Sequence, residues 1–234
     1  ICSFWAAGST NVADVQRAVD AASAGNNVWL KTGAYASASA TTTVNNLTVD
    51  VPAGVSGFTG LVLDASVTNG SATLTGAGAA NLTGNAGNNT LTANTGDNTI
   101  DGGQGVDTAV FSGDYADYNV TGSGTLTVDG PDGVDTVVDV ERLQFADTLI
   151  INSTSGSNDA SIEIVKNGSN LDVFINNVLI ATVPLSSPTP LIINGGEGND
   201  TFEVDIQAIP DGGIIINGNG QSASSTQGDI LVLT

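Results

Sequence analysis

Between residues 75 and 110, large apolar residues return every nine positions, and glycine and polar residues fill the positions between them. The apolar residue is Leu82, then Leu91, then Ile100, and the fourth residue of every block is glycine. Glycine permits the positive φ of a tight turn, and the Thr-Leu-Thr type segment after it suits a short strand with one side chain pointing inward. One block cannot bury its apolar residue alone. The repeat therefore predicts stacked coils with parallel strands, and we expect Leu82, Leu91 and Ile100 to form one buried column.

Two further blocks of the same kind stand apart from this run, at 195–203 and, more weakly, at 130–138. The sixth residue of the block is an aspartate in three places, Asp107, Asp135 and Asp200. The three blocks of the first run that precede 102–110 carry Ala or Asn there instead. Any property that depends on this carboxylate is therefore concentrated in the blocks at 102–110, 130–138 and 195–203.

The blocks at 102–110 and 195–203 resemble the nonapeptide repeat G-G-x-G-x-D-x-U-x of RTX-type bacterial secreted proteins. The resemblance extends over roughly 75–149 and 191–234. It implies a parallel β-roll in which Ca²⁺ lies between successive turns, held by the aspartate and by backbone carbonyls of the glycine-rich turn. Carried onto this sequence, it implies a set of candidate ligands: Asn98, Asp101, Gly103, Gly105, Asp107, Asp135, Gly196, Gly198 and Asp200.

Simpler interpretations of the same residues remain open. Asp107 and Asp200 can be turn residues that hydrogen-bond their own backbone. The asparagines of the first run can stack as amide ladders between coils rather than bind a cation; they are Asn88, Asn89, Asn94 and Asn98.

The N-terminal part has a different pattern. After Asn11, a candidate N-cap, apolar residues recur at helical spacing, and Gly25 suits the helix end. The apolar face is Val12, Val15, Ala18, Val19 and Ala22. A short helix followed by strand patterns is similar to the entrance of a right-handed parallel β-helix of the pectate-lyase type. That resemblance implies a helix that plugs the open end of the first coil.

Residues 115–149 and 161–183 break the nine-residue rhythm with alternating apolar and polar residues, which predicts antiparallel strands. The predicted fold class is thus all-β, a right-handed parallel β-helix or β-roll solenoid with an N-terminal helical cap and antiparallel inserts. We divide the chain into a cap with first coils (1–74), the repeat solenoid (75–110), an antiparallel closing segment (111–149) and a second β segment with meander and coils (150–234).

Charge narrows the functions that this fold can serve. Four Lys and Arg stand against 24 Asp and Glu, with no His, giving a net charge of −20. A nucleic-acid partner needs clustered cations, and Ser-His or Cys-His catalysis and His-ligated zinc need histidine. No apolar run is long enough to span a membrane. Excess carboxylate without cations favours a hard divalent ion with oxygen ligands, so Ca²⁺ is the expected cofactor.

These patterns predict a non-catalytic structural segment of a bacterial extracellular protein, a surface, adhesin or fibre component stabilised by calcium. The open end of a solenoid predicts head-to-tail self-association or continuation of a longer chain, and cell-surface polysaccharide is a candidate partner. Two alternatives stay open. One is a polysaccharide lyase or hydrolase on a β-helix, for which basic residues are scarce. The other is an accessory calcium module of a secreted hydrolase.

Overall fold

The computed structural model of the chain describes residues 3–6, 12–153, 159–218 and 229–234. Their regular secondary structure is almost all β, and the sheets are large and mostly parallel. This confirms the all-β class and agrees with a β-solenoid. The described residues form two compact units. The first reaches Thr121 and includes Thr125–Val140; the second comprises Gly122–Gly124 and the described residues of Glu141–Thr234.

The first unit contains one α-helix and most of the short strands that the repeat predicts. The helix α1 is Val12–Asp20. The strands up to Val138 are β1 (Ser3–Ala6), β2 (Asn27–Leu30), β3 (Gly33–Thr42), β4 (Leu47–Val51), β5 (Val55–Leu63), β6 (Ser71–Gly76), β7 (Asn81–Thr83), β8 (Thr90–Thr92), β9 (Thr99–Asp101), β10 (Thr108–Val110), β11 (Asn119–Ser123), β12 (Thr125–Gly130) and β13 (Gly133–Val138). A short 3-10 helix covers Tyr115–Asp117.

The strands of this unit alternate between two parallel sheets. One sheet has the order β1-β2-β4-β6-β8-β10, and the other includes β13-β9-β7-β5-β3. Successive nine-residue blocks therefore enter different sheets, and the chain needs two blocks to complete a coil. The strand β12 pairs antiparallel with β13, which itself pairs parallel with β9. The block at 130–138 is thus both the second strand of a hairpin and a rung of the parallel sheet.

The expected single column of apolar residues is wrong, because the coil takes eighteen residues rather than nine. Leu82 stands in register with Ile100 in one sheet, whereas Leu91 stands between Ala72 and Ala109 in the other. All five side chains are at most 1% exposed. Each block still buries its apolar residue against its neighbours, as the physical argument requires, but the residues fill two facing columns.

The helix α1 follows the predicted amphipathic pattern. Val15, Ala18, Val19 and the following Ala22 are buried, while the candidate N-cap Asn11 lies outside the described residues. The side-chain amide of Gln16 makes two hydrogen bonds with the backbone of one β3 residue. Its Nε2 donates to the carbonyl oxygen of Thr41 (2.7 Å), and its Oε1 accepts from the Thr41 N–H (2.8 Å).

The second unit contains strands of two sheets. Its strands are β14 (Arg142–Gln144), β15 (Leu149–Asn152), β16 (Ser161–Asn167), β17 (Asn170–Ile175), β18 (Val178–Pro184), β19 (Leu191–Asn194), β20 (Thr201–Val204), β21 (Ile214–Asn217) and β22 (Ile230–Leu233). A 3-10 helix spans Ile206–Ala208. The orders are β14-β15-β19-β21 and β18-β17-β16-β20-β22. The β16-β17-β18 pairs are antiparallel, and the pairs β15-β19, β19-β21, β16-β20 and β20-β22 are parallel.

Three nearly identical segments stack in this unit because they share one pattern. Leu149–Asn152, Leu191–Asn194 and Ile214–Asn217 lie in register, so that the asparagines align with each other and the two isoleucines before them align with isoleucines, while Ile214 aligns with Leu191. The antiparallel strands turn where the sequence has Asn and Gly: the φ angles of Asn176 and Asn177 are 51° and 65°. Positive φ is the geometry that these residue types tolerate best.

Candidate metal-binding turns

The aspartate at the sixth position of the repeat has the same hydrogen bond in three turns. Its Oδ1 accepts the backbone N–H of the residue at the matching position one coil earlier. Asp107 accepts from Asn89 (2.6 Å), Asp135 from Asn98 (2.8 Å) and Asp200 from Ala160 (2.8 Å). All three aspartates are fully buried. The interpretation of Asp107 and Asp200 as turn residues bonded to their own backbone is therefore incomplete, since each links two coils.

Two of these carboxylates have an oxygen that is buried without a hydrogen bond. Oδ2 of Asp135 and Oδ2 of Asp200 have no hydrogen-bond partner among the residues that the structure describes. Leaving a buried polar atom without a partner costs about 1–3 kcal/mol, and more for a charged group. A cation beside these oxygens would remove that cost, and carboxylate oxygen is the ligand type that Ca²⁺ takes. The residues present thus fit a calcium ion.

Burial also changes the acidity of both groups. Desolvation raises the pKa of Asp135 to about 7, against the opposing effect of the Asn98 N–H, and the negative charges of Asp132 and Asp97 raise it further. Desolvation likewise raises the pKa of Asp200, opposed by the Ala160 N–H and assisted by Asp229 and Asp159. Without a cation, both carboxylates are costly to ionise in the folded protein.

Glycine at the first position of the repeat lets the carboxylate lie against the main chain. A Cβ on Gly102 would fall 2.7 Å from Oδ2 of Asp107, and one on Gly195 would overlap Oδ2 of Asp200. The same closeness recurs between Gly84 and the side chain of Asn89. In these three blocks, the position of the sixth side chain therefore requires glycine at the first position.

The remaining glycines named as candidate ligands shape the turns. The φ angles are +88° at Gly103, +122° at Gly105, +94° at Gly196 and +120° at Gly198. Only glycine adopts such values readily. The two full repeats thus turn with the same backbone geometry, which their shared sequence predicts.

The structure groups the predicted ligands of the first unit differently from their order in the sequence. Asn98 stacks with Asp135, and neither atom of its buried amide, Oδ1 or Nδ2, has a hydrogen-bond partner among the described residues. Asp107 stacks with Asn89 in a separate turn. Asp101 is half-buried at the end of β9, where its Oδ1 accepts the Gly103 N–H (3.1 Å). The candidates therefore form two columns.

The other asparagines of the run have structural partners. Asn88 accepts the Val106 N–H of the next coil (3.0 Å), and its own N–H donates to Oδ1 of Asn69 (3.1 Å). Asn89 Oδ1 accepts the Asn85 N–H, and Asn94 Nδ2 donates to the Gly78 carbonyl oxygen. These contacts join side-chain amides to main-chain groups and do not form a ladder of stacked amides between coils.

Asp229 is a sixth-position aspartate that the nine-residue spacing did not reveal. Its Oδ1 accepts the Asp200 N–H (2.9 Å), which repeats the bond that Asp200 makes to Ala160. The register β20-β22 places it one coil beyond Asp200, and a Cβ on Gly218 would overlap its Oδ2. The signal in the sequence is the Gly-Asp-Ile-Leu-Val segment that follows the Ser-rich stretch at 221–227.

No group of three or more Cys, Asp or Glu side chains placed to share a metal ion occurs in the part of the chain that the structure describes. A cation at these turns would therefore need main-chain or amide oxygens besides the aspartates.

None of the described helices has the length and apolar character that crossing a membrane requires.

Comparison with known proteins supports the interpretation of the turns. The family profile of the RTX calcium-binding nonapeptide repeat matches residues 74–109 and 192–205, in four copies. Neither the curated proteins nor the solved structures gave a significant match. The matched stretches contain Asn98, Asp107 and Asp200, whereas Asp135 and Asp229 lie outside them. The chain carries RTX nonapeptide repeats, which are calcium-binding.

Proposed function

We propose that this chain is a calcium-stabilised structural segment of a bacterial extracellular surface protein, an adhesin or fibre component without catalytic activity of its own. The observation that carries the proposal is the pair of buried carboxylate oxygens, Oδ2 of Asp135 and Oδ2 of Asp200, that lack a hydrogen-bond partner within the described parts of the chain. RTX repeat proteins are typically secreted, which supports an extracellular location. The solenoid would be right-handed.

The residues that would hold calcium follow from the stacking. In the first unit, Asp135 with the amide of Asn98 forms one candidate site, and Asp107 forms a second with carbonyls of the turn at Gly103 and Gly105. In the second unit, Asp200 would act with carbonyls of the turn at Gly196 and Gly198. Calcium supplies positive charge to carboxylates that burial has desolvated. Its effect is to neutralise them and to join adjacent coils.

Calcium binding would then be coupled to folding. An ion that binds only the folded state stabilises it by RT ln(1 + [Ca]/Kd), about 2.7 kcal/mol at a hundredfold excess over Kd. With a net charge of −20, the chain repels itself when calcium is scarce. The chain would remain loosely folded in the cell and become rigid outside it, where calcium is abundant.

The helix α1 supports the expected cap at the N-terminal edge of the first unit. The strand β3 is the last strand of its sheet, and Thr41 lies on it. The Gln16 amide bonds both the N–H and the carbonyl of Thr41, which leaves neither group free for another strand. This is how a helix protects an exposed sheet edge from pairing with other chains.

The direct test is calcium titration of the whole chain, followed by circular dichroism, thermal unfolding and calorimetry. We expect the melting temperature to rise with calcium and to fall again with a chelator, while Mg²⁺ at the same concentration has a smaller effect. Unchanged spectra and melting temperature would contradict the proposal. Incubation with acidic polysaccharides tests the lyase alternative, and we expect no unsaturated products.

A further inference from the structure

The side chain of Asn94, the second residue of the block at 93–101, is enclosed by main-chain groups. Its Nδ2 donates to the carbonyl oxygens of Thr75 (3.2 Å) and Gly78 (2.9 Å), which lie three residues apart in the turn of the preceding coil. Its Oδ1 accepts the Gly96 N–H (3.0 Å) of its own turn. Asn94 is only 4% exposed. One buried amide therefore joins two turns and uses both of its N–H hydrogens.

Asn85 makes the same contacts at the second position of the block at 84–92. Its Nδ2 donates to the carbonyl oxygens of Asp64 and Val67, both at 2.8 Å. Its Oδ1 accepts the Gly87 N–H (2.9 Å). The two carbonyls are again three residues apart on the preceding coil. Because two separate turns have the same geometry, the contact follows from asparagine at this position of the repeat.

A pair of carbonyl oxygens that face one point is also what a hard cation takes as ligands. An amide NH2 group has two donor hydrogens, so it can satisfy the same two oxygens without a metal. The cost of leaving buried carbonyls without a partner is thereby avoided. The amide carries no net charge, however, so it cannot neutralise a carboxylate beside it. An amide in this position therefore suits a turn without an aspartate.

The second and sixth residues of the blocks vary together as this balance requires. Where the second residue is Asn85 or Asn94, the sixth is a neutral asparagine, Asn89 or Asn98. Where the sixth residue is an aspartate, the second is glycine or proline, neither of which has a side-chain donor. The pairs of this kind are Gly103 with Asp107, Pro131 with Asp135 and Gly196 with Asp200.

The backbone also distinguishes the two kinds of turn. Gly103 and Gly196 have φ angles of +88° and +94°, whereas neither Asn85 nor Asn94 has a positive φ. A Cβ on Gly103 would lie 2.6 Å from the Asn85 carbonyl oxygen, so this turn accepts no side chain at its second position. The glycine turn thus has an aspartate and no amide, and the asparagine turn has an amide and no aspartate.

We propose that the Nδ2 amides of Asn85 and Asn94 take the place of calcium ions. The contact of each asparagine with the preceding coil then needs no metal, and calcium enters only where the sixth residue of the later block is an aspartate. This inference rests on the proposed function, because it assigns which turns use the ion. The second residue of a block, together with the sixth, determines whether two coils are joined by a metal or by a side chain.

Calcium stoichiometry of the whole chain, measured by titration calorimetry and equilibrium dialysis, tests this proposal. The double variant Asn85→Gly, Asn89→Asp gives the block at 84–92 the second and sixth residues of a full repeat. We expect it to bind one more calcium ion than the parent chain. The matched control is Asn85→Gly, Asn88→Asp, which has the same composition and charge but places the carboxylate at the fifth position. Its ion count should equal that of the parent chain, as should that of Asn89→Asp alone, which keeps the amide.

An unchanged ion count in the Asn85→Gly, Asn89→Asp variant would overturn this proposal, and so would an equal gain in the matched control. Either result leaves the proposed function standing, whereas a parent chain that binds no calcium would overturn both. If the double variant does not fold, Asn85→Ala gives a second measurement. Its melting temperature should fall by about 2–4 °C or more, equally in calcium and in a chelator, because the lost bonds do not involve the ion. A loss in calcium alone would show that Asn85 is a ligand, and that result or no loss at all would overturn the proposal.

Discussion

The carboxylate of Asp135 and the backbone N–H of Asn98 are joined by a 2.8 Å hydrogen bond, although the two residues are 37 positions apart in the chain. They occupy the same repeat position in adjacent rungs of one sheet, with Val137 in register with Ile100 beside them. The remaining polar atoms of both side chains, Oδ2 of Asp135 and the amide of Asn98, are buried and form no hydrogen bond with any residue of the described ranges. We therefore expect a cation beside this pair to stabilise the folded state.

Removing the charge of Asp135 or Asp200 should abolish the stabilisation that calcium provides at that turn. In Asp135→Asn and Asp200→Asn, the carbonyl oxygen can still accept the N–H bond, but the negative ligand is lost. We expect the calcium-induced gain, about 2–3 kcal/mol at hundredfold excess for one site, to shrink in each variant. Denaturant unfolding with and without calcium measures it.

The matched controls are Asp117→Asn and Asp211→Asn, which remove exposed carboxylates. Each should leave the calcium-induced gain close to that of the parent chain. Equal losses in the buried and exposed variants would show that calcium acts through net charge rather than at the turns.

The calcium-free protein should become more stable as the pH falls from about 7 towards 4. Burial raises the folded-state pKa of Asp135 to about 7, whereas in an unfolded chain an aspartate titrates near 3.9. Between these values the folded state binds the proton more tightly, so stability is highest below the window and is lost as the pH rises through it. Asp200, whose pKa is also raised, acts in the same direction.

Thermal unfolding in a chelator across this range measures the effect, and Asp135→Asn separates it from general charge repulsion by flattening the curve. With calcium present, the stabilisation that the ion provides increases as the pH rises, because fewer protons then compete with it for the carboxylate. A pH profile identical in the parent chain and the variant would contradict this assignment.

The first glycine of the full repeat should not accept a methyl group. In Gly102→Ala, the new Cβ would lie about 2.2 Å from the Asp139 carbonyl oxygen and 2.7 Å from the Asp107 carboxylate. We expect a loss of about 1–3 kcal/mol in the free energy of unfolding. Gly87→Ala is the control, since the nearest atom to its Cβ is 3.0 Å away, and it should cost less. Equal costs would refute the close-approach argument.

Asp132 should hold the closing segment of the first unit in place. It is 4% exposed and accepts three hydrogen bonds: from the Ser112 N–H (2.6 Å), the Ser112 hydroxyl (2.7 Å) and the Tyr118 hydroxyl (2.6 Å). Tyr118→Phe removes one of them, and we expect a loss of about 1.5–3 kcal/mol, as for a bond to a charged group.

Absorbance titration gives an independent measurement of the same contact. Burial, with the neighbouring Asp132 carboxylate, raises the pKa of Tyr118 above its ordinary value. One of the three tyrosines should therefore ionise later than the others, and this late transition should disappear in Tyr118→Phe. If all three titrate together in both proteins, the hydrogen bond to Asp132 is not present in solution.

The sequence by itself determined which residues point inward and where the chain turns. Leu82, Leu91 and Ile100 are buried as the nine-residue period requires, because alternation and glycine spacing are local properties of the backbone. The same local logic identified Asp107, Asp135 and Asp200 as the carboxylates of the repeat. The conformations of Gly103 and Gly196 follow for the same reason.

Only the tertiary structure decided how many blocks make a coil and which turns stack. A nine-residue period is compatible with one strand per coil or with two. The core of this protein lies between two facing sheets, so each coil has two strands. Leu91 therefore lies in a different sheet from Leu82 and Ile100. Stacking across insertions brought Asp135 to Asn98 and Asp229 to Asp200. Sequence spacing hides such pairs, because the distance along the chain changes with each insertion while the distance between adjacent rungs does not.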